Sequence, residues 1–189
     1  ADSPTGQKNP ATVTLFQITS NGTNPATHAI SVSFASAEDM DRSRALNMAS
    51  KDFAAMQASM AGAMTPVSES MFRGTGISAG SPAAITSDNP VARFILMDVQ
   101  DPAAYVAAWT KMMASRDSDL PLSLNQIIAA GTADTSHVVS IAANNVAEMM
   151  AEADANQGNP AWAEFLASVD GIRTIEDDAL VMRVKTWAN

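Results

Sequence analysis

The pattern of hydrophobic and polar positions divides the chain into short segments with the alternation or β-branched content that is typical of strands. The clearest segment is residues 28–35, in which His28, Ile30 and Val32 alternate with small or polar residues and so share one face. Strands are predicted at residues 12–20, 28–35, 67–77, 91–99, 122–130, 137–143 and 172–187.

Helix start and stop signals separate these strands. Ser36 has the chemistry of an N-cap, and the helix that it begins extends to about residue 61, with a predicted break near residue 50. Asp101 followed by Pro102 begins a second helix. A third runs from about residue 146 to 169, and a Gly-Asn-Pro sequence interrupts it. The second half therefore has the order β-α-β-β-α-β, which is that of a ferredoxin-like module.

An internal repeat relates the two halves of the chain. Residues 17–72 reappear without a gap as residues 126–181, at an offset of 109 positions (126 − 17 = 109). Thirteen of the 56 aligned positions are identical, among them Gln17 with Gln126, His28 with His137 and Thr23 with Thr132. Because the predicted turns, helix caps and hydrophobic phases also match, we interpret the repeat as a duplication.

The first copy of the repeat lacks a leading β-α unit, since only about ten polar residues precede its first strand. In a ferredoxin-like sheet the missing strand is central, and its absence would leave backbone N–H and C=O groups unpaired. The sequence leaves three solutions open. The first module closes differently, borrows a strand from another chain, or packs its exposed edge against the second module.

Two stretches carry a resemblance to a known family. They are VARFILMDVQDPAAYVAAW at residues 91–109, and NPAWAEFLASV at residues 159–169 before the final strand. The second half resembles the dimeric α/β-barrel superfamily, which includes antibiotic-biosynthesis-type monooxygenases and haem-degrading enzymes. The resemblance implies two ferredoxin-like sheets packed face to face. Haem-degrading members of the superfamily use an Asn, a Trp and a His. In this chain residues 91–99 contain no Asn, and no predicted helix contains a His. For this reason no cofactor is predicted.

The repeat and the resemblance together predict an α+β fold. Two ferredoxin-like modules, the first lacking its β1-α1 unit, would associate as a pseudo-dimeric α/β barrel. The predicted boundaries are residues 1–79 for the incomplete β-β-α-β module, 80–90 for a Gly- and Pro-containing linker, and 91–189 for the complete module.

Composition and charge narrow the partners. The formal net charge is -9, which disfavours binding to nucleic acids or to anionic membranes. There are no cysteines, so thiolate chemistry and disulfides are excluded, and no apolar run reaches the roughly 18 residues of a membrane span. The chain begins Ala-Asp-Ser-Pro, which is typical of a mature terminus and suggests a periplasmic or extracellular protein.

The candidate catalytic residues are His28 and His137, because they are the only histidines and occupy equivalent positions in the repeat. A histidine that projects from a strand into a pocket can act as acid or base near neutral pH. The alternative, which is the more common arrangement for a polar group on an apolar face, is a strand-end His that hydrogen-bonds a loop carbonyl. Gln17 and Gln126 lie on the neighbouring strands and could orient a ligand, or they pin the hairpins.

Tyr105 and Trp109 complete the predicted ligand-binding set, from the apolar stripe of the helix that begins at Pro102. No metal site is predicted. Met56, Met60 and Met64 recur at i, i+4 and i+8, which predicts a helix core stripe and not a copper site.

Three functional hypotheses remain open at this point. The first is a non-catalytic protein that binds a small hydrophobic ligand or has a structural role, with self-association through the incomplete sheet. The second is a cofactor-independent monooxygenase or isomerase on a small aromatic compound, with His28 or His137 as base. The third is a haem or metal binder that uses the same histidines.

Overall fold

The computed structural model describes residues 3–131 and 134–188, within which seven strands and five helices form. The Thr23–Thr132 match of the repeat and the first two residues of the predicted mature terminus lie outside this part. In chain order the elements are β1 Thr12–Ser20, β2 His28–Ser33, α1 Ala37–Met48, α2 Lys51–Met60, β3 Met71–Ala79, β4 Val91–Val99, α3 Pro102–Met113, β5 Leu122–Ala129, β6 His137–Ala143, α4 Val146–Gln157, α5 Pro160–Val169 and β7 Arg173–Trp187.

The strands form one sheet in the order β2-β1-β7-β4-β6-β5-β3. The pairs β1–β2, β3–β5, β4–β6, β4–β7 and β5–β6 are antiparallel. The predicted α+β class is confirmed. β3, which the repeat assigns to the first half of the chain, pairs with β5 of the second half.

Local capping chemistry explains the helix boundaries. The side chain of Ser36 accepts a hydrogen bond from Asp39 N, and that of Ser50 accepts one from Phe53 N. The second cap separates α1 from α2 at the predicted break. Asn159 likewise accepts from Ala161 N and separates α4 from α5.

The third strand differs from its prediction, because it covers Met71–Ala79 and not residues 67–77. Its register against β5 shifts between Gly74 and Ser78, and Gly76 adopts a φ of 82°. A glycine tolerates this left-handed conformation without steric cost, so the strand passes through the irregularity and continues. The periodicity of the sequence does not reveal such a bulge.

The chain divides into two compact units. Unit 1 comprises Ala1–Gln17, Ala26–Val67 and Arg183–Asn189, and unit 2 comprises Ile18–Pro25 and Ser68–Met182. The predicted module boundaries at residues 1–79, 80–90 and 91–189 stay a prediction.

Unit 2 contains the main hydrophobic core, in which α3 and α5 pack on one face of β4, β5 and β6. Alternate strand residues reach this face, since successive side chains of a strand point to opposite sides. The buried members of the core are Met97, Val99, Tyr105, Trp109, Met112, Leu122, Leu124, Val139, Phe165 and Val169.

Unit 1 is less well buried. Among its described residues only Ser43 and Ser50 are buried, and none of the buried hydrophobic residues belongs to it. The predicted core stripe on α2 is wrong in this respect, because Met56 is 46% exposed and Met64, beyond the helix end, is 52% exposed. Met56 and Met60 lie on α2 at helical spacing and Met64 does not, and spacing alone does not show whether a second layer covers these side chains.

Candidate functional site

Unit 2 contains a cavity of about 60 Å³ between the sheet and its helices. The wall is mainly apolar, with a few polar groups from the helices and from the start of β7. The lining residues are Ile95, Met97, Trp109, Met112, Arg116, Leu122, Val139, Ile141, Glu152, Asn156, Trp162 and Arg173.

Residue spacing accounts for this wall. Ile95 and Met97 are two positions apart on β4 and therefore face the same side of the sheet, where the helices pack. On α3, Tyr105, Trp109 and Met112 are all buried and recur at i, i+4 and i+7, which directs one stripe of the helix at the sheet.

Trp109, which lines the cavity, carries a hydrogen-bond donor that no described residue uses. Its side chain is 3% exposed, and its Nε1 has no hydrogen-bond partner among the described residues. Indole nitrogen can only donate, and a buried donor left unpaired costs roughly 1–3 kcal/mol. A ligand whose acceptor atom reaches this nitrogen would remove that cost.

Arg173 supplies positive charge at the same wall. Its guanidinium carbon lies 5.5 Å from the ring centroid of Phe165 and 6.0 Å from that of Tyr105. Its Nη1 donates to the hydroxyl of Tyr105 at 3.4 Å. Among the described residues no carboxylate lies within salt-bridge distance of Arg173. Its charge is therefore available to a ligand, and the aromatic rings hold it in place.

A second arginine at the wall is already neutralised. Arg116 forms an ion pair with Glu152 through Nη2 and Oε1 at 2.9 Å, and their side chains are only 4% and 14% exposed. Arg116 also donates to the carbonyl and hydroxyl oxygens of Ser118 at 3.1 Å. This pair joins the segment after α3 to α4, and all three guanidinium nitrogens of Arg116 donate within the fold.

Tyr105 does not line the cavity, but it contacts Met97 and Trp109, which do. It is completely buried, and its hydroxyl donates to Sδ of Met97 at 2.9 Å. Its ring centroid is 6.3 Å from that of Trp109, in an edge-to-face arrangement, and 6.1 Å from that of His137. The structure thus brings together three of the residues that the sequence singled out.

His137 is buried at the start of β6, and its Nδ1 lies 3.0 Å from the hydroxyl of Ser136. It does not line the cavity. Burial lowers the pKa of His137 below its usual value, and the negative charge of Asp98 partly opposes this. The imidazole is therefore held in its neutral form, which is the form a general base requires.

The depressed pKa of His137 predicts a pH-dependent stability. Below about pH 6.5 the unfolded chain binds a proton at this histidine, while the folded chain resists it. The free energy of unfolding is therefore expected to fall as the pH decreases from 7.5 to 5.5. Urea unfolding at several pH values measures this. His137→Gln should weaken the dependence, and His28→Gln is the matched control that should keep it; equal slopes in both variants would contradict the assignment.

The remaining predicted residues lie elsewhere. Gln126 faces His137 across the β5–β6 pair, but it is exposed, and its Oε1 accepts a hydrogen bond from Arg73 Nη2 at 3.0 Å. In unit 1, Gln17 faces His28 across the β1–β2 pair, and both are exposed. His28 Nδ1 lies 3.0 Å from the hydroxyl of Thr27. Neither glutamine reaches the cavity.

Sequence reasoning missed the charged part of the wall. Arg173, Arg116 and Glu152 follow no motif, and only the folded chain brings them together. In the described part of the chain, no group of three or more His, Asp or Glu side chains is placed to hold a metal ion. No helix in that part is both long and apolar enough to cross a membrane.

Comparison with known proteins supports the fold class. Two solved structures resemble the chain, each with a TM-score of 0.56. One is described as a "putative monooxygenase from Lactobacillus acidophilus NCFM"; identity is 15%, and the match covers 97% of this chain and 86% of that one. The other is an anthrone oxidase-like protein, with 12% identity over 94% of this chain and 78% of that one. Neither a protein-family model nor a curated protein matches the chain.

Proposed function

We propose that unit 2 binds a small, mainly apolar molecule that carries an oxygen acceptor, and that Trp109 Nε1 donates to this oxygen. The observation that carries the proposal is the unpaired, buried indole nitrogen of Trp109, a residue that lines the cavity. Arg173 favours a carbonyl, phenolate or carboxylate oxygen over a basic group, because its positive charge faces no carboxylate in the described chain.

The size of the cavity limits what enters without rearrangement. At about 60 Å³ it is far smaller than the roughly 300–1,000 Å³ of most ligand pockets. A larger ligand would have to displace wall side chains, and Met97 and Met112 are suited to this because methionine is unbranched and flexible. The site as formed accepts the polar end of such a molecule.

Trp109→Phe tests the proposal, since it keeps an aromatic ring and removes the donor. We expect this variant to bind small phenols and aromatic ketones about tenfold more weakly, which corresponds to about 1.4 kcal/mol for one hydrogen bond. Titration followed by ligand-observed NMR measures the affinity. Trp162→Phe, at the same wall, is the control and should bind almost normally. Unchanged affinity in Trp109→Phe would contradict the proposal.

A catalytic role is the second candidate, and the names of the two structural neighbours favour it. In this version O2 would oxidise a small aromatic compound in unit 2 without a cofactor. The neutral, buried His137 would act as base once Met97, its neighbour across the β4–β6 pair and part of the cavity wall, moves aside. Oxygen consumption with an anthrone as substrate tests it. Loss of turnover in His137→Gln with retained binding would support catalysis; absence of turnover in the unsubstituted protein leaves the binding role.

An internal duplication is also part of the proposal, and three observations support it. Helices α1 and α2 coincide with α4 and α5 at the offset of 109 (146 − 37 = 109; 160 − 51 = 109). Both hairpins have the same register, with Gln17 opposite His28 and Gln126 opposite His137. Gly22 and Gly131, which lie two residues after the ends of β1 and β5, adopt nearly equal φ values of 62° and 63°.

A further inference from the structure

Strand β2 is an open edge in unit 1. It is the terminal strand of the sheet, and within the described residues it pairs with β1 alone. Its sequence, HAISVS, contains no charged residue and no proline, although these are the usual means of protecting an edge. Ile30 and Val32 are each about half exposed. Such an edge can accept a further strand through backbone hydrogen bonds.

The second half of the chain shows what covers the equivalent positions. Strand β6, the counterpart of β2, pairs on both sides, with β5 and with β4. Val139, the counterpart of Ile30, is 2% exposed. Val139 packs in the core that α3 and α5 form on the sheet, and β4 lies beside β6. No counterpart of β4 exists in the described part of unit 1.

The helices repeat this contrast. Helix α3 follows β4 and packs on α5, where the ring centroids of Trp109 and Phe165 are 5.3 Å apart. Phe165 is consequently 3% exposed, whereas its counterpart on α2, Met56, is 46% exposed. The β4-α3 segment therefore covers two surfaces in unit 2 whose counterparts are open in unit 1. These counterparts are the edge of β2 and the apolar face of α2.

We propose that unit 1 binds a polypeptide segment made of an apolar strand followed by an amphipathic helix, chemically similar to residues 91–115 of this chain. The inference rests on the proposed duplication. The strand would add antiparallel to the free edge of β2, and the helix would cover Phe53 and Met56 on α2. The methionines suit this role, since their flexible side chains adapt to the partner surface.

The pairing of β4 with β6 gives the expected register. Ile95 lies opposite Val139, and Met97 lies opposite His137. Shifted by 109 positions, the residue of the partner that corresponds to Ile95 would face Ile30 (139 − 109 = 30). This apolar pair would form on the helix-covered face of the sheet, and no like charges would meet across the new ladder.

The full chain and a synthetic peptide with the sequence of residues 91–115 provide the test. At a peptide concentration ten times its Kd, amide hydrogen exchange in residues 28–33 should slow about tenfold. A scrambled peptide of the same composition is the control and should have no effect. Absence of slowing with the native peptide would overturn the proposal.

Two edge variants locate the binding. Ile30→Lys and, independently, Val32→Lys introduce charge on a half-exposed position and should each weaken peptide binding at least fivefold. Exchange rates in α1, which belongs to unit 1 as β2 does, report whether each variant is folded. If the peptide slows exchange in residues 28–33 of both folded variants as much as in the unsubstituted protein, it binds elsewhere, and the proposal is overturned.

Two further measurements separate this inference from its alternatives. If exchange in residues 28–33 slows with protein concentration alone and the mass doubles, a second copy occupies the edge, and the proposal is wrong. Trp109→Phe should leave the peptide effect unchanged. A failed ligand assay and a failed peptide assay therefore test different claims, one about the cavity of unit 2 and one about unit 1.

Discussion

Arg116→Met is expected to lower the free energy of unfolding by about 3–5 kcal/mol, because it leaves the carboxylate of Glu152 buried without its partner. The two side chains are 4% and 14% exposed, and Nε of Arg116 donates to Oε1 of Glu152 at 3.0 Å. The variant also removes the hydrogen bonds to Ser118 that hold the segment after α3. Urea unfolding monitored by tryptophan fluorescence measures the loss.

The double variant Arg116→Met/Glu152→Leu should recover much of this stability, since an apolar pair carries no desolvation cost. Lys111→Met is the matched control, because Lys111 and Glu164 form an ion pair whose side chains are 70% and 60% exposed. An exposed pair contributes less than about 1 kcal/mol. If Arg116→Met lowers the free energy of unfolding no more than Lys111→Met does, the buried ion pair does not stabilise the fold more than the exposed one, and the prediction is wrong.

Local sequence signals explain why the element boundaries could be predicted. A cap such as Ser50 or Asn159 acts on backbone groups two or three residues away, so its effect is visible in the sequence alone. The start of β3 could not be predicted in the same way. Its irregular pairing with β5 depends on a partner strand more than 40 residues away along the chain.

The same distinction between local and long-range effects applies to the candidate site. Tyr105 and Trp109 were predicted because they share a helical stripe with Met112, and the structure places them at or beside the cavity. Arg173 could not be predicted, since its position against Phe165 results from the docking of β7 beside β4. A sequence shows which residues share a face, but it does not show which surface that face meets.

The methionine stripe on α2 also has a spacing that is visible in the sequence and an exposure that is not. Two substitutions measure how much burial contributes at equivalent positions of α5 and α2. Phe165→Ala is expected to destabilise unit 2 by about 3–5 kcal/mol, because it opens a cavity among the aromatic rings of α3 and α5. Met56→Ala, at the equivalent position on α2, should cost less than about 1 kcal/mol, because half of that side chain already contacts water.

Hydrogen exchange of α2 and α5 resolves the two effects even if the units unfold separately. A loss in Met56→Ala as large as that in Phe165→Ala would show that the α2 face is already covered in the isolated chain, and would remove the need for a partner. With the peptide of residues 91–115 bound, Met56→Ala should instead become costly, because Met56 would then occupy a buried interface as Phe165 does. The loss of stability in Met56→Ala therefore shows directly whether a bound segment covers the apolar face of α2.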